Sequence, residues 1–158
     1  MYLEAHFPDR PSLFGGPAGL ALARFVNSWA DTVLHPGIAR LIVADVCAIV
    51  AERDRDYFRK TREERFGKPL EAVQASRADD VVVFRQSLQP LRATLEAQPY
   101  LGGDNANYAD YIVFGGFQWP RVASAFPLLA GDDPIFRWRE RLLDAFGGLA
   151  RSMPAAAK

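Results

Sequence analysis

The sequence predicts an all-α protein, folded as one domain in a bundle of five to six helices. Apolar side chains recur every three or four residues along most of the chain, as they do on one face of a helix. No Asn-Gly or Asp-Gly turn joins two alternating apolar runs, which would indicate a β-hairpin. With 158 residues, of which 49% are hydrophobic, the chain is long enough to bury a substantial core.

Composition excludes several classes of function. Nineteen basic and nineteen acidic residues give a net charge of +0, so we expect no general attraction to nucleic acid or to anionic membranes. The single cysteine, Cys47, precludes an internal disulfide, and with only His6 and His35 present we expect no metal site. Neither a signal peptide nor an apolar run of roughly 20 residues is recognised, which favours a cytoplasmic protein.

The first sixteen residues are predicted to be the end of a helix followed by a linker. Residues 1–7 have helical character, Pro8 stops them, and a loop rich in proline and glycine continues to Pro17. The domain organisation expected from this pattern is a remnant of an upstream helix with its linker (1–16), a helical domain (17–153) and a disordered tail (154–158).

A long helix is predicted from Pro17, because proline suits the first helical position. A Pro36-Gly37 step interrupts its apolar pattern, which indicates either one kinked helix or two helices that meet at residues 35–37. The apolar positions on the predicted buried face are Leu22, Phe25, Val26, Trp29 and Val33 before this step, and Ile38, Leu41, Ile42, Val46 and Ile49 after it.

The middle of the chain predicts a charged helix and then a packed one. Residues 51–65 mix charges of both signs at helical spacing, which is typical of a solvated helix with ion pairs between successive turns. Residues 78–98 carry an apolar seam that Pro90 must kink. The seam consists of Val81, Phe84, Leu88, Leu91 and Leu95.

Two further helices complete the bundle. The helix from Asn107 to about Ser124 has apolar residues all round it, so we expect it to lie in the middle of the core. Asn107 and Asp110 have the spacing of a capping box, in which each side chain accepts a hydrogen bond from a backbone N–H at the helix start. The final helix begins near Asp133, and its predicted apolar face consists of Ile135, Trp138, Leu142, Phe146 and Leu149.

The segment PYLGGDNANYADYIVFGGFQWPRV resembles the C-terminal helical domain of the cytosolic glutathione S-transferases. That family has a Pro-Tyr-Leu-x-Gly loop followed by a capping box that opens its central helix. The first residues, YLEAHFPDRPSLFGG, resemble the end of the family's thioredoxin-like domain and its linker. The Leu34-to-Ile38 stretch and the Gln118-Trp119 pair are similar to bacterial beta-class members, and the chain also resembles the β-etherase subgroup.

The resemblance implies a division of labour between two domains. In the family, an N-terminal thioredoxin-like domain binds the co-substrate glutathione and stabilises its thiolate, and this chain begins where that domain would end. We therefore expect a truncated transferase that is inactive alone, forms a homodimer, and contributes the site for a small hydrophobic electrophile. The intact enzyme would transfer glutathione to an electrophilic or ether-linked carbon. The alternative is a stand-alone, non-catalytic protein-interaction module.

Four residues are candidate substrate-binding residues on this basis, and none is expected to be catalytic. His35 and Trp119 would lie near glutathione and the electrophile, while Ile38 and Ile42 would lie on an exposed interdomain face. Each also has a plainer explanation, either capping a helix end or packing in the core. Cys47 lies on an apolar helix without a neighbouring base, so we expect a buried, unreactive thiol.

Overall fold

The computed structural model describes residues 2–156 and confirms the all-α fold, with no β-strand in that range. Met1, Ala157 and Lys158 lie outside the described residues, and with them the end of the predicted tail. A π-helical turn, Ala30–Leu34, joins the second helix to the third. The α-helices are α1 (Tyr2–His6), α2 (Pro17–Trp29), α3 (His35–Ile49), α4 (Glu52–Phe66), α5 (Leu70–Gln74), α6 (Arg77–Ser87), α7 (Gln89–Ala97), α8 (Tyr108–Ala123) and α9 (Pro134–Ser152).

The predicted interruption near Pro36 is a π-helical turn within one continuous helical run. Pro36 has no N–H to donate, and its ring conflicts with the carbonyl one turn earlier. The chain accommodates this by widening the preceding turn, where the His35 N–H donates to the carbonyl of Ala30, five residues back. The two predicted alternatives therefore reduce to one helix with a local change of pitch.

This run, Pro17–Ile49, is also the one helical segment within residues 2–156 that is long and apolar enough to cross a membrane. In its most apolar stretch the mean hydropathy reaches 1.5, and 39% of that stretch is buried inside the protein. The expectation that the chain has no apolar run of roughly 20 residues therefore does not hold for this helix, judged by length and composition. A single such helix is weak support for a membrane span, because the core helix of a soluble protein satisfies the same criteria.

The core forms where α3, α6, α7, α8 and α9 meet. The predicted seam is buried throughout, and Pro90 divides it at Leu88 into α6 and α7. Around α8, the rings of Phe114 and Phe117 meet the indole of Trp138 edge-on, with ring centroids 6.4 and 6.3 Å apart. Central helix and seam thus pack as the apolar spacing predicts.

Three predicted apolar faces are only partly buried. On α2, Leu22 and Phe25 are 65% and 71% exposed, whereas the smaller Ala23 of α2 and Ala30 of the π-helical turn are buried. The exposed stripe of α8 means that this helix is not buried on all sides; it consists of Tyr108, Tyr111, Gly115 and Val122. Ile49 at the end of α3 is also exposed.

The final helix is broken near its end. Phe146, Gly147 and Gly148 all have positive φ angles, so the chain makes a left-handed turn that glycine tolerates and phenylalanine rarely adopts. Phe146 is consequently 78% exposed rather than on the predicted buried face. After the break the chain returns to α8, where the Arg121 carbonyl accepts a hydrogen bond from the Ala156 N–H (3.0 Å).

The N-terminal linker is bonded into the helical domain. Ser12 Oγ accepts hydrogen bonds from the N–H groups of residues 14–16 and donates to the Glu4 carboxylate. Glu4 also accepts from the Leu13 N–H (2.6 Å), and the Leu13 carbonyl accepts from the Tyr108 N–H at the start of α8 (2.8 Å). These bonds connect α1 to the central helix through the linker.

The charged helix α4 is solvated as predicted and has no buried residue. Arg59 pairs with Glu63 one turn later (3.0 Å) and with Glu71 at the start of α5 (2.8 Å). The Arg59 guanidinium donates hydrogen bonds to the Glu71 carboxylate and lowers the pKa of Glu71 from its ordinary 4.5 to about 2.

We expect the contribution of Glu71 to stability to disappear in acid. Because the folded state lowers the Glu71 pKa, the stabilisation is present above pH 4.5 and is lost as the pH falls towards about 2. Urea unfolding of the wild type and of Glu71→Gln should differ at neutral pH and converge near the lower value. Added salt should reduce the difference, since the pair is exposed. A difference that is independent of pH would contradict this prediction.

Candidate functional site

Ile38 and Ile42, two of the predicted site residues, are fully buried in the main core cluster. The expectation that they lie on an exposed face is wrong, because α3 packs against both α6 and α8 and turns these side chains inwards. Their side chains pack in the core and have no exposed surface that a ligand could contact.

His35 and Trp119 are half-buried and lie on neighbouring elements. The His35 ring packs against α8 at Gly116, where a Cβ atom would be 3.2 Å from His35 Nε2 and 2.8 Å from Leu34 Cδ2. Gly116 therefore leaves room for both side chains. Trp119 follows on α8 one turn later and packs against the edge of the core.

A row of polar side chains leads away from His35 along the helical run. Asp31, in the π-helical turn, lies 3.3 Å from His35 Nδ1 through one carboxylate oxygen. Its other oxygen accepts a hydrogen bond from Asn27 Nδ2 at 2.8 Å. The residues Asn27, Asp31 and His35, here called the polar row, thus form a connected series across three turns. π-Helical turns occur frequently at functional sites because they redirect side chains.

The polar row ends at a cavity of about 400 Å³ between α2, α8 and the linker. Leu13 from the linker and Ala23 and Asn27 from α2 form one side, and Tyr108 and Ile112 from α8 form the other. We call this cavity, together with the polar row, Gly116 and Trp119, the α2–α8 groove. The volume of the cavity is in the range typical of small-molecule sites, and its lining is mainly apolar, with Arg24 and Asn27 of α2 as polar members. His35, Gly116 and Trp119 do not line the cavity itself.

The start of α8, which forms one wall of the groove, is fixed by the predicted capping box. Asn107 Oδ1 accepts from the Ala109 N–H (2.9 Å), and Asp110 Oδ2 accepts from the Asn107 N–H (3.0 Å). Asp110 is fully buried and also accepts from the N–H groups of Leu101 and Gly102 and from Trp138 Nε1, at 2.8, 3.0 and 2.8 Å. Each oxygen of this carboxylate therefore accepts two hydrogen bonds. These bonds connect the preceding loop and α9 to α8.

The α2–α8 groove has mainly apolar walls and a polar edge that consists of Arg24 and the polar row. Cys47 lies outside it, buried in a small cluster with Val43, Leu70 and Val73. Within residues 2–156, no group of three or more His, Cys, Asp or Glu side chains is placed to hold a metal ion.

Sequence reasoning missed Asn27 and Asp31, although a signal for them exists. Asn27, Asp31 and His35 follow one another at four-residue spacing on a predicted helix, so the three side chains share a face. The cavity itself depends on how the linker packs against α8, which no local pattern reveals.

The adjacent glycines of α8 provide a matched test of this wall. A Cβ at Gly115 meets no atom within 4 Å, whereas one at Gly116 collides with Leu34. Substitution by alanine adds the same helix propensity at either position. We therefore expect the free energy of unfolding of Gly116→Ala to be lower than that of Gly115→Ala by about 1–3 kcal/mol, which is the usual cost of overpacking. Urea denaturation measures this difference. Equal stabilities would show that Leu34 and His35 are loosely packed against α8 at Gly116.

Comparison with known proteins identifies the family. Residues 21–126, more than half of the chain, match the family model described as glutathione S-transferase, C-terminal domain. The matched range includes most of α2 and all of α3 to α8, but not the linker residues that line one side of the cavity. The chain therefore belongs to the glutathione S-transferase family and corresponds to its C-terminal helical domain.

Individual relatives agree with this assignment. A glutathione S-transferase-like protein, ustS, of Aspergillus flavus is 26% identical over 132 residues, covering 75% of this chain and 46% of that protein. The crystal structure of glutathione transferase GSTFuA3 from Phanerochaete chrysosporium is 28% identical, with a TM-score of 0.67 over 93% of this chain and 56% of that one. The chain spans about half the length of these relatives.

A more distant structure supports the fold alone. The Ceriporiopsis subvermispora glutathione S-transferase CsGST83044, solved in complex with glutathione, is 24% identical, with a TM-score of 0.60. The alignment covers 93% of this chain and 58% of that protein. These three relatives are fungal, and the bacterial beta-class affinity indicated by the sequence stays a prediction.

Proposed function

We propose that this chain supplies the electrophile-binding wall of a glutathione S-transferase, beside a thioredoxin-like domain that binds glutathione. The observation that carries the proposal is the α2–α8 groove, which combines mainly apolar walls with a polar edge and whose α8 wall and polar row lie within the family-matched residues. A small hydrophobic electrophile would bind against Ile112 and Trp119. His35 and Asn27, held by Asp31, would orient polar groups of the ligand.

The reaction itself would depend on the other domain. The glutathione thiolate would attack an electrophilic or ether-linked carbon, forming a carbon–sulfur bond as the leaving group departs with the bonding electron pair. The chain alone would then show no transferase activity. Membership of the glutathione S-transferase family supports glutathione as the co-substrate. We further propose that residues 17–153 are the helical domain and that the protein functions in the cytoplasm.

A titration followed by nuclear magnetic resonance tests the site. The ligands are glutathione and its S-(2,4-dinitrophenyl) conjugate, which differ by the apolar aryl group that the groove should bind. We expect the conjugate to shift backbone amide signals of residues 27–35 and 112–119 saturably, and glutathione alone to leave them unchanged. Saturable shifts by glutathione alone would contradict the division of labour. Absence of any binding would favour the non-catalytic interaction module.

Self-association is proposed to use the outer face of α2. Leu22 and Phe25 are exposed there, and Phe25 lines a shallow apolar pocket of about 200 Å³ with Trp29 and with Pro90 of α7. Exposed apolar surfaces of this kind commonly mark protein interfaces. By light scattering we expect a homodimer that Phe25→Glu dissociates, while Tyr57→Glu on the exposed α4 leaves the mass unchanged. A wild-type monomer at high concentration would contradict this proposal.

A further inference from the structure

A second cavity, of about 390 Å³, opens between α3, α5 and α6 and shares no lining residue with the α2–α8 groove. Its apolar floor consists of Leu41, Val73 and Phe84, all of which are buried. The Phe84 ring reaches this position because residue 37 is glycine: a Cβ there would be 2.6 Å from Phe84 Cδ2. The floor is thus preformed by tight packing between α3 and α6.

The rim of this cavity carries an excess of positive charge. Arg40 and Lys68 line it, with Asp80 as the one carboxylate. Asp80 already accepts a hydrogen bond from Ser76 Oγ (2.7 Å). Arg40 lies over the Phe66 ring, 5.8 Å from its centroid, and within residues 2–156 neither Arg40 nor Lys68 has a carboxylate partner. One positive charge therefore remains unbalanced above an apolar floor.

Three other arginines on neighbouring parts of the protein have acceptors for their guanidinium groups. Arg77 bonds to Asp45 at 2.9 Å and Arg92 to Asp133 at 2.8 Å, and Arg85 donates to backbone carbonyls. Arg77 also lies over an aromatic ring and lines a cavity, but its charge is paired with Asp45. Arg40 is exposed, lies over the Phe66 ring and, within residues 2–156, has no hydrogen-bond or ion-pair partner. Its planar fork is suited to binding a carboxylate through two parallel hydrogen bonds.

We propose that this cavity binds a small monocarboxylate with an aromatic or aliphatic body. The carboxylate pairs with Arg40 and Lys68, and the body lies on Leu41, Val73 and Phe84. The volume is in the range of small-ligand sites. A dianion fits less well, because Asp80 shares the rim and repels the additional charge. The inference is independent of the proposed transferase function, since it involves no residue of the α2–α8 groove.

The test is calorimetric titration of the whole chain with 2-naphthoate and with 2-naphthalenemethanol, its uncharged counterpart. We expect saturable binding of the carboxylate and much weaker binding of the alcohol. The double variant Arg40→Gln/Lys68→Gln should bind 2-naphthoate at least about tenfold more weakly, because it loses two charge-assisted contacts. The control Lys60→Gln/Arg65→Gln removes the same charge from exposed α4 positions outside the cavity and should leave binding unchanged.

The remaining outcomes are each decisive. Absence of saturable 2-naphthoate binding overturns the proposal, as does equal binding of the alcohol or an equal loss in the control variant. Amide shifts must fall on residues 37–41, 73–76 and 80–87; shifts confined to the α2–α8 groove overturn this inference and leave the proposed function standing. Because Lys68 is exposed, the single variant Lys68→Gln keeps the fold and must weaken binding by itself.

Discussion

Replacing Asp110 by alanine is expected to lower the free energy of unfolding by about 3–5 kcal/mol, the range for removing one partner from a buried charged network. The fully buried carboxylate accepts four hydrogen bonds, three from backbone N–H groups and one from the indole of Trp138. The substitution leaves all four donors without this acceptor, and each unsatisfied buried donor costs about 1–3 kcal/mol unless water replaces the partner.

Urea unfolding followed by circular dichroism measures this loss. Asp104→Ala is the matched control, because Asp104 is an exposed carboxylate in the same loop. It should change the free energy of unfolding by less than about 0.5 kcal/mol, as is usual for surface substitutions. If the two variants were equally stable, the capping network at the start of α8 would have no structural importance.

Trp138→Ala is expected to have the second largest effect, a loss of about 3–5 kcal/mol. The side chain is fully buried and packs edge-on against Phe114 and Phe117, so its removal leaves a cavity between α8 and α9. It also leaves Asp110 with one donor fewer. Trp138→Phe keeps an aromatic ring in the cavity and should cost clearly less.

The two effects should not add, because Trp138 and Asp110 share a hydrogen bond. A double-mutant cycle is expected to give an interaction energy of about 0.5–3 kcal/mol, as for other residues in contact. The readout is the urea midpoint of the wild type, the two single alanine variants and the double variant. Strict additivity would contradict the direct contact between Trp138 and Asp110. A cost for Trp138→Ala no larger than that for Trp138→Phe would contradict the packing contribution of the aromatic ring.

The features predicted correctly from sequence are those that depend on neighbours within a few residues. Asn107 and Asp110 are three residues apart, so their cap follows from spacing alone. The break at Leu88 follows in the same way from Pro90. The other donors to Asp110 could not be predicted, because Trp138 is brought to it only by the packing of α9 on α8.

The errors have a common physical origin in how helices approach one another. Apolar spacing selected Leu22 and Phe25 on α2, whereas the close approach of α2 to α8 places Ala23 and Ala30 in the contact. Hydrophobicity identifies the large side chains but does not show which small residues allow two helices to touch. Gly147 and Gly148 did signal the break in α9, and the apolar period through Phe146 obscured it.

The predicted site residues also differ in how well their positions could be predicted from sequence. His35 and Trp119 were selected by resemblance, and they are half-buried, His35 against Gly116 and Trp119 at the edge of the core. Their role in binding stays a prediction. Ile38 and Ile42 were selected in the same way but are buried, because a one-dimensional pattern cannot distinguish the two sides of a helix that packs on several neighbours. Asn27 and Asp31 share a four-residue spacing with His35 in the sequence, but the contacts that connect the three side chains are seen only in the folded π-helical turn.

The most direct test of whether this chain shapes the electrophile site and leaves glutathione to another domain is a calorimetric titration with glutathione. The samples are the purified chain and a fusion in which the part of Phanerochaete chrysosporium GSTFuA3 that this chain does not match precedes it. We predict saturable binding to the fusion and none to the chain alone. Saturable binding of glutathione to the chain alone would contradict the proposed division of labour.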